Sequence, residues 1–235
     1  MRKRQPLIFY MKKAFKVSFL HTLPVLAGYI FLGFAFGLLL KTSGFPAWLP
    51  VVMSIVIYSG AQEFAAVSLL LAPFDPFGTF IIGIMLSARH LFYGLPMLKK
   101  YAGQGKKKPF LIFGLTDETF SILTTHEPPE GVEAGHFYLW ITLLDYAYWV
   151  AGTALGALTG QFISFDVTGL DFALTALFIV LFLEQLKKKE GRISACTGLI
   201  VTAAVLALFG STSMVVISMA VILLVLVAGR RVIDR

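Results

Sequence analysis

Apolar residues fill this chain in long runs, and polar residues fall into the short stretches between them. The run from Val17 to Leu40 holds 24 residues without a lysine, arginine, aspartate or glutamate. Ile193 to Gly229 is a further 37 uncharged residues, and Gly210-Ser211-Thr212-Ser213 is the natural turn that divides it. A transmembrane helix requires roughly 20 apolar residues. The pattern therefore predicts apolar segments over about 17–40, 47–72, 77–98, 109–125, 136–160, 171–187, 193–209 and 212–229. Pro46, Pro73, Pro76, Pro109, Pro128 and Pro129 lie between segments or at their edges, where helix breakers belong. The expected fold is an all-α polytopic membrane protein of about 7–8 hydrophobic segments, some broken or re-entrant.

Composition agrees with the pattern and closes off other classes. Of 235 residues, 57% are hydrophobic and 14% are charged, against about 25% charged in a soluble domain. Mean hydropathy is +0.82. So few charges cannot cover a soluble surface, and so much apolar character excludes a disordered chain. Cys196 has no partner for a disulfide. Eight spans consume about 160 residues, which leaves no room for a separate soluble domain. The expected organisation is a cytoplasmic or interfacial segment over 1–16 and one transmembrane domain over 17–235. The first apolar run exceeds a signal-peptide core of about 7–15 residues and is read as a retained span. Residues 5–16 can form an amphipathic interfacial helix, with Phe9, Tyr10 and Phe15 toward lipid.

Charge placement refines this picture. The net charge is +7, yet the basic residues sit in blocks between apolar runs. The blocks are Arg2 to Lys16, Lys99 to Lys108, Lys187 to Arg192, and Arg230 to Arg235. Short basic loops of this kind face the cytoplasm and anionic lipid, and no folded basic domain is present for nucleic acid. All four blocks are read as cytoplasmic, with the N-terminus on that side. Three segments separate blocks one and two, and three separate blocks two and three. A shared side then requires one broken or re-entrant segment in each interval, unless the positive-inside rule fails at one block.

A weak two-fold repeat is visible. Tyr29, Gly33, Ala35, Gly37 and Leu39 recur 119 residues later as Tyr148, Gly152, Ala154, Gly156 and Leu158. The repeat halves are about 17–125 and 136–229, with Glu63 and Glu184 in later apolar segments of each. Internal repeats build alternating access in many transporters. The competing explanation is that Gly-x-x-x-Gly is what membrane helices pack with.

Ionisable residues inside membrane segments are costly and point to function. In Ser59-Gly60-Ala61-Gln62-Glu63-Phe64, Ser59 and Gln62 read as a capping box that starts a helix at mid-segment. Such a start points backbone N–H groups at an anion. Glu63, in the first turn, is a candidate proton carrier, because burial disfavours a charged carboxylate. An unbroken helix, with Gln62 bonding across to a neighbour, is the alternative. In Ser87-Ala88-Arg89-His90-Leu91-Phe92-Tyr93, Arg89 and Tyr93 share a helix face. A buried Arg89 needs a carboxylate, which Glu63, Asp117 or a substrate can supply, whereas an Arg89 near the segment end snorkels to headgroups. Thr116-Asp117-Glu118-Thr119 can cap a half-helix or form a loop. Asp145, with Tyr148 and Trp149, lies on an otherwise apolar stretch, while Glu184 suits an interfacial salt bridge with Lys187. His21, His90, His126 and His136 show no metal-ligand spacing, and no hydrolase elbow or phosphate-binding loop is present. Neither enzymatic activity nor a metal or cofactor is expected.

The motifs Ser59-Gly60-Ala61-Gln62, Arg89-His90-x-x-Tyr93 and Thr116-Asp117-Glu118, in that order, resemble the AzlC family, the large subunits of branched-chain amino acid exporters. The resemblance runs from about Ala14 to the C-terminus and is clearest in the first half. It implies a bacterial inner-membrane exporter of valine, leucine, isoleucine and methionine, with a small hydrophobic AzlD-type partner subunit. A zwitterion needs a cation or helix N-terminus for its carboxylate, which Arg89 or the amides after Ser59, Gly60 and Gln62 can provide. It needs an anion for its ammonium, which Glu63 or Asp117 can provide. Its side chain needs an apolar pocket, for which Phe64, Phe92 and Phe120 are candidates, with Tyr93 beside Arg89. Glu63, Asp117, Glu118 and Asp145 are the candidates for proton coupling. A transporter or channel for another small solute, or a non-transporting assembly subunit, is the alternative.

Overall fold

The computed structural model describes residues 7–87, 89–162 and 189–210, with scattered positions in 172–186 and 214–225. At residues 7–10, 85, 89, 91, 92 and 189–191 only the backbone is described. The described residues form helices and turns, with no strand among them. The helices are α1 (Leu7–Thr42), α2 (Trp48–Val56), α3 (Gly60–Leu71), α4 (Pro76–Ser87), α5 (Arg89–Lys100), α6 (Lys108–Phe113), α7 (Asp117–Thr125), α8 (Ala134–Phe162) and α9 (Lys189–Phe209). Contacts divide the chain into two compact units, Met1–Ala173 and Leu174–Arg235. Among the described residues three helices have stretches long and apolar enough to cross a membrane: Met11–Thr42, Ala134–Phe162 and Arg192–Phe209. The expected segments over 171–187 and 212–229, with Glu184, fall largely outside the described residues.

One expectation is corrected at the start. Residues 7–16 are not a separate interfacial helix but the first turns of α1. No breaker separates them from Val17, and Ala14 and Ser18 are both fully buried, so one continuous face packs inward. Phe15 does face outward, with its ring edge against Trp140 at 5.0 Å.

The first unit is organised around a close parallel pairing of α1 with α8. Ser18 Oγ donates to Phe137 O at 3.3 Å, and Thr22 and Tyr148 share a hydroxyl bond of 3.1 Å. Farther along, Gly33 faces the backbone of Trp149 and Thr153, and Gly37 faces that of Thr153 and Ala157. Reciprocally, Gly152 faces the backbone of Tyr29 and Ile30, and Gly156 that of Phe34 and Leu38. A Cβ at any of these four positions would fall inside the partner backbone. Lipid is as apolar as leucine, so packing rather than water exclusion joins such helices, and small residues permit the approach. The five residues of each repeat half thus lie on helices that pack on each other.

Of the remaining helices of this unit, α2–α3 and α6–α7 form two hairpins, inserted from opposite ends of that pair, and α4 and α5 connect them. Call the start of α1 the near end and Thr42 the far end. The chain turns through 43–47 at the far end, and α2 descends until Ile55 O accepts from Tyr146 Oη at 2.9 Å. Residues 57–59 break the helix. α3 then returns toward the far end, with Gly60 against the Trp149 ring and Phe64 beside Phe36 at 5.7 Å. α4 runs antiparallel to α3, since Gln62 Nε2 donates to Gly83 O at 3.2 Å and also to Ser87 Oγ. α5 continues to the near end, where Met97 and Tyr101 join a core with Ala14, Leu111, Leu123 and Phe137. There the short turn Gly105–Lys107 leads into α6, which climbs until Gly114 meets Thr142. After a second break at 114–116, α7 goes back to the near end, placing His126 against His21 at 4.0 Å.

This path bears on the charge blocks. Lys13 Nζ donates to Glu130 O at 2.8 Å, Lys100 pairs with Glu127 at 3.1 Å, and Lys107 pairs with Glu133 at 3.2 Å. Blocks one and two therefore share the near end, because within the segment over 47–72 α3 turns back on α2. Large apolar side chains such as Phe31, Phe77, Phe80, Leu95 and Leu155 are exposed on the outside, the surface that lipid requires.

Gly37→Ala and Gly156→Ala should each lower the thermal midpoint in detergent, since the added Cβ meets main chain and cannot be relieved by a rotamer change. Overpacking of this kind costs about 1–3 kcal/mol. Gly28→Ala, on the same helix with nothing within 4 Å, should be neutral or slightly stabilising. Equal midpoints for all three variants would refute the glycine contact.

Candidate functional site

The two breaks face each other across α1 and α8, and each begins a helix. At the first, Tyr58 has φ +46°, a left-handed conformation that costs a non-glycine residue about 1–2 kcal/mol. Its ring is buried and held by Tyr146 at 4.8 Å and Phe113 at 6.0 Å, which offsets that strain. Ser59 is extended and precedes α3, so a helix does start here. The capping box, however, is not the expected one. The Ser59 hydroxyl caps nothing, and Gln62 turns away to α4. Glu63 takes its place: Oε1 accepts the Ser59 N–H at 3.0 Å while the Glu63 N–H donates to Ser59 O at 2.8 Å. A carboxylate does this better than an amide because it also answers the positive end of the helix dipole.

Glu63 is fully buried. Its other donor is the Trp149 indole, whose Nε1 lies 3.1 Å from both carboxylate oxygens. Gly60 makes room for that ring, since a Cβ there would lie 2.9 Å from Trp149 Cη2. Tyr29 closes the other side of the indole, edge to face at 5.5 Å.

At the second break Thr116 caps α7, its Oγ1 accepting the Thr119 N–H at 3.2 Å, so the half-helix reading holds. Tyr29 Oη approaches both Thr116 Oγ1 at 2.8 Å and Glu118 Oε2 at 2.7 Å. Thr116 Oγ1 donates to Thr119 Oγ1 at 3.1 Å, and Thr119 Oγ1 donates to Asp145 Oδ2 at 2.7 Å. Thr119 and Asp145 are fully buried, while Thr116, Asp117 and Glu118 are half-buried. Tyr29 thus stands between the two breaks, against Trp149, the donor to Glu63, on one side and Glu118 on the other.

Of the expected site residues, Ser59, Gly60, Glu63, Glu118 and Asp145 gather in this middle layer, and Asp117 lies in the first turn of α7. Gln62 joins α3 to α4. Tyr93 packs on Phe120 at 5.4 Å and on His90 at 5.0 Å. Phe64 belongs to a different group, against Phe36. The side chains of Arg89 and Phe92 lie outside the described residues, so the expected Arg89 pairing does too. An apolar cleft of about 480 Å³ lies beside α5 and α6, lined by His90, Gly94, Met97, Tyr101, Ile112 and Leu115. Among the described residues no group of three or more His, Cys, Asp or Glu could hold a metal. The sequence pattern marks no role for Tyr29, Thr119 or Tyr58, and Trp149 stands in it only as a neighbour of Asp145. The available signal was the glycine register: Tyr29 and Trp149 each precede the first glycine of a Gly-x-x-x-Gly by about one turn, on the faces that meet.

A model of the AzlC protein family matches residues 24–163. The branched-chain amino acid transport protein AzlC of Bacillus subtilis (strain 168) is 45% identical over 222 residues, covering 94% of this chain and 87% of that protein. An uncharacterized membrane protein of Haemophilus influenzae is 38% identical, covering 84% of this chain and 82% of that protein. The inner membrane protein YgaZ of Escherichia coli (strain K12) is 28% identical, covering 86% and 82% respectively. No solved structure matches the chain.

Trp149→Phe keeps the ring but removes the donor shared by both Glu63 oxygens. Losing a hydrogen bond to a charged group should cost about 1.5–3 kcal/mol. Thermal unfolding of Trp149→Phe, Glu63→Gln and the double variant should show strong coupling, with the double variant less damaged than the sum. Additive losses would mean that the indole does not serve the carboxylate.

Proposed function

The chain belongs to the AzlC family, and from that premise we propose that it is a secondary transporter exporting leucine, isoleucine, valine and methionine across the bacterial cytoplasmic membrane. It acts as the large subunit beside a small hydrophobic AzlD-type partner, with its N-terminus in the cytoplasm and with export coupled to the proton gradient. The observation that carries this reading is the meeting of two half-helix starts, from hairpins inserted at opposite ends, around buried carboxylates. Half-helix starts of this kind hold charged substrates in transporters, where broken backbone is tolerated because it lines a cavity. The name of the Bacillus subtilis relative supports the substrate class.

In this reading the substrate carboxylate is held by Arg89 and by first-turn N–H groups of α3 and α7. The ammonium is held by Glu63 and Asp117. The aliphatic side chain lies against Phe64, Phe92 or Phe120, or in the apolar cleft beside α5, whose 480 Å³ accommodates an isobutyl group. Coupling uses the carboxylates Glu63, Asp117, Glu118 and Asp145: a proton taken up from outside neutralises one of them, and the substrate leaves as the proton passes inward.

Counterflow of labelled leucine in liposomes, with and without the small partner, tests the reading. Leucine exchange and its acceleration by an imposed pH gradient are expected, with Glu63→Gln slowed by about 100-fold or more, the scale of a lost proton-transfer or charge-binding group. Glu63→Gln liposomes with an unchanged, proton-dependent rate would sink the assignment of Glu63. No leucine exchange by the wild-type complex would sink the transport reading itself.

A further inference from the structure

Five side chains form one unbroken hydrogen-bonded line through the middle layer: Glu118, Tyr29, Thr116, Thr119 and Asp145. The steps measure 2.7, 2.8, 3.1 and 2.7 Å. The line starts at a half-buried carboxylate and ends at a fully buried one. Its three middle members are hydroxyls, each able to accept one proton while giving up another. Asp145 Oδ1 is buried with no hydrogen-bond partner among the described residues. A buried charged oxygen without a partner is costly, and a proton on this carboxyl removes the charge responsible. Among the described residues the titratable groups near the line, besides its own members, are Tyr58 before α3 and Tyr148 on α8, and Asp117 sits in the same first turn of α7. Among the described residues no lysine, arginine or histidine forms an ion pair with Glu118 or Asp145.

We propose that Tyr29, Thr116 and Thr119 are a proton-transfer chain that carries one proton from Glu118 to Asp145. The proposal rests on the proton-coupled reading above and names its route. A protonated Glu118 gives its proton to Tyr29 Oη. Tyr29 gives its own to Thr116 Oγ1, Thr116 to Thr119 Oγ1, and Thr119 to Asp145 Oδ2. Glu118 ends as a carboxylate and Asp145 as a carboxylic acid, with each hydroxyl restored and no change in total charge. The hydroxyls then rotate back before the next proton, as the present arrangement shows them, with Thr119 donating to Asp145. The line also explains why α7 begins where it does. Thr116 is both the cap of α7 and a link, so moving the α6–α7 hairpin opens the line and stops the proton.

The test compares two rates in liposomes: leucine uptake driven by a pH gradient, and leucine counterflow without one. Thr119→Val keeps the shape of the side chain and removes the link. The ratio of driven uptake to counterflow should fall by about 100-fold, and Thr119→Ser should restore it. Tyr29→Phe cuts the line at another point and should lower the same ratio. An unchanged ratio in Thr119→Val and Tyr29→Phe overturns the proposal. So does loss of counterflow in both, which would assign these residues to binding or packing. Wild-type liposomes that exchange leucine but show no driven uptake would instead refute proton coupling as such.

Discussion

The contact of α1 with α8 is the constraint on which the rest of this unit depends. Four glycines let two parallel backbones touch, and nothing larger fits. That closeness fixes which side chains flank the seam. Tyr29 and Trp149 meet edge to face because Gly33 and Gly152 follow them. Trp149 in turn reaches Glu63, and Tyr29 reaches Glu118. The two hairpins therefore do not merely lean on a scaffold. Each is tied, through one carboxylate, to an aromatic residue whose position the glycine seam sets.

Broken helices in hydrocarbon leave N–H and C=O groups that no water can satisfy, and each such group costs several kcal/mol. Here the chain answers most of that demand with itself. Glu63 serves the backbone of its own helix start, and Thr116 serves that of α7. The breaks also bring together the buried carboxylates Glu63 and Asp145 and a line of hydroxyls. A helix pair that could not approach so closely would leave Glu63 without its indole donor.

Much of this organisation is legible in the residues. The long apolar segments over 17–40, 136–160 and 193–209 correspond to α1, α8 and α9, which among the described residues have stretches long and apolar enough to span. Gly60 after Ser59, and Thr116 before two acids, mark the two helix starts. Basic blocks on one face, separated by an odd number of segments, call for a segment that turns back unless the positive-inside rule fails at one block, and within 47–72 α3 turns back on α2. Other features depend on tertiary register. Nothing local distinguishes Gln62 from Glu63 as the capping partner, because Gln62 is drawn away by Gly83 and Ser87, more than 20 residues along the chain. The partner of Asp145 is Thr119, 26 residues earlier on a different helix. Only the packing of α7 on α8 brings them together.

The central claim is that the α2–α3 hairpin enters and leaves at the far end, so that the first two basic blocks share one side. Single cysteines at Lys12, Lys106 and Phe74, in a Cys196→Ser background, test it with a membrane-impermeant thiol reagent applied to sealed vesicles of known orientation. All three positions are exposed. Lys12→Cys and Lys106→Cys should be labelled from the same side and Phe74→Cys from the opposite side. Labelling of Lys12→Cys and Lys106→Cys from opposite sides would mean that the segment over 47–72 crosses the membrane, and the meeting of the two hairpins would be wrong.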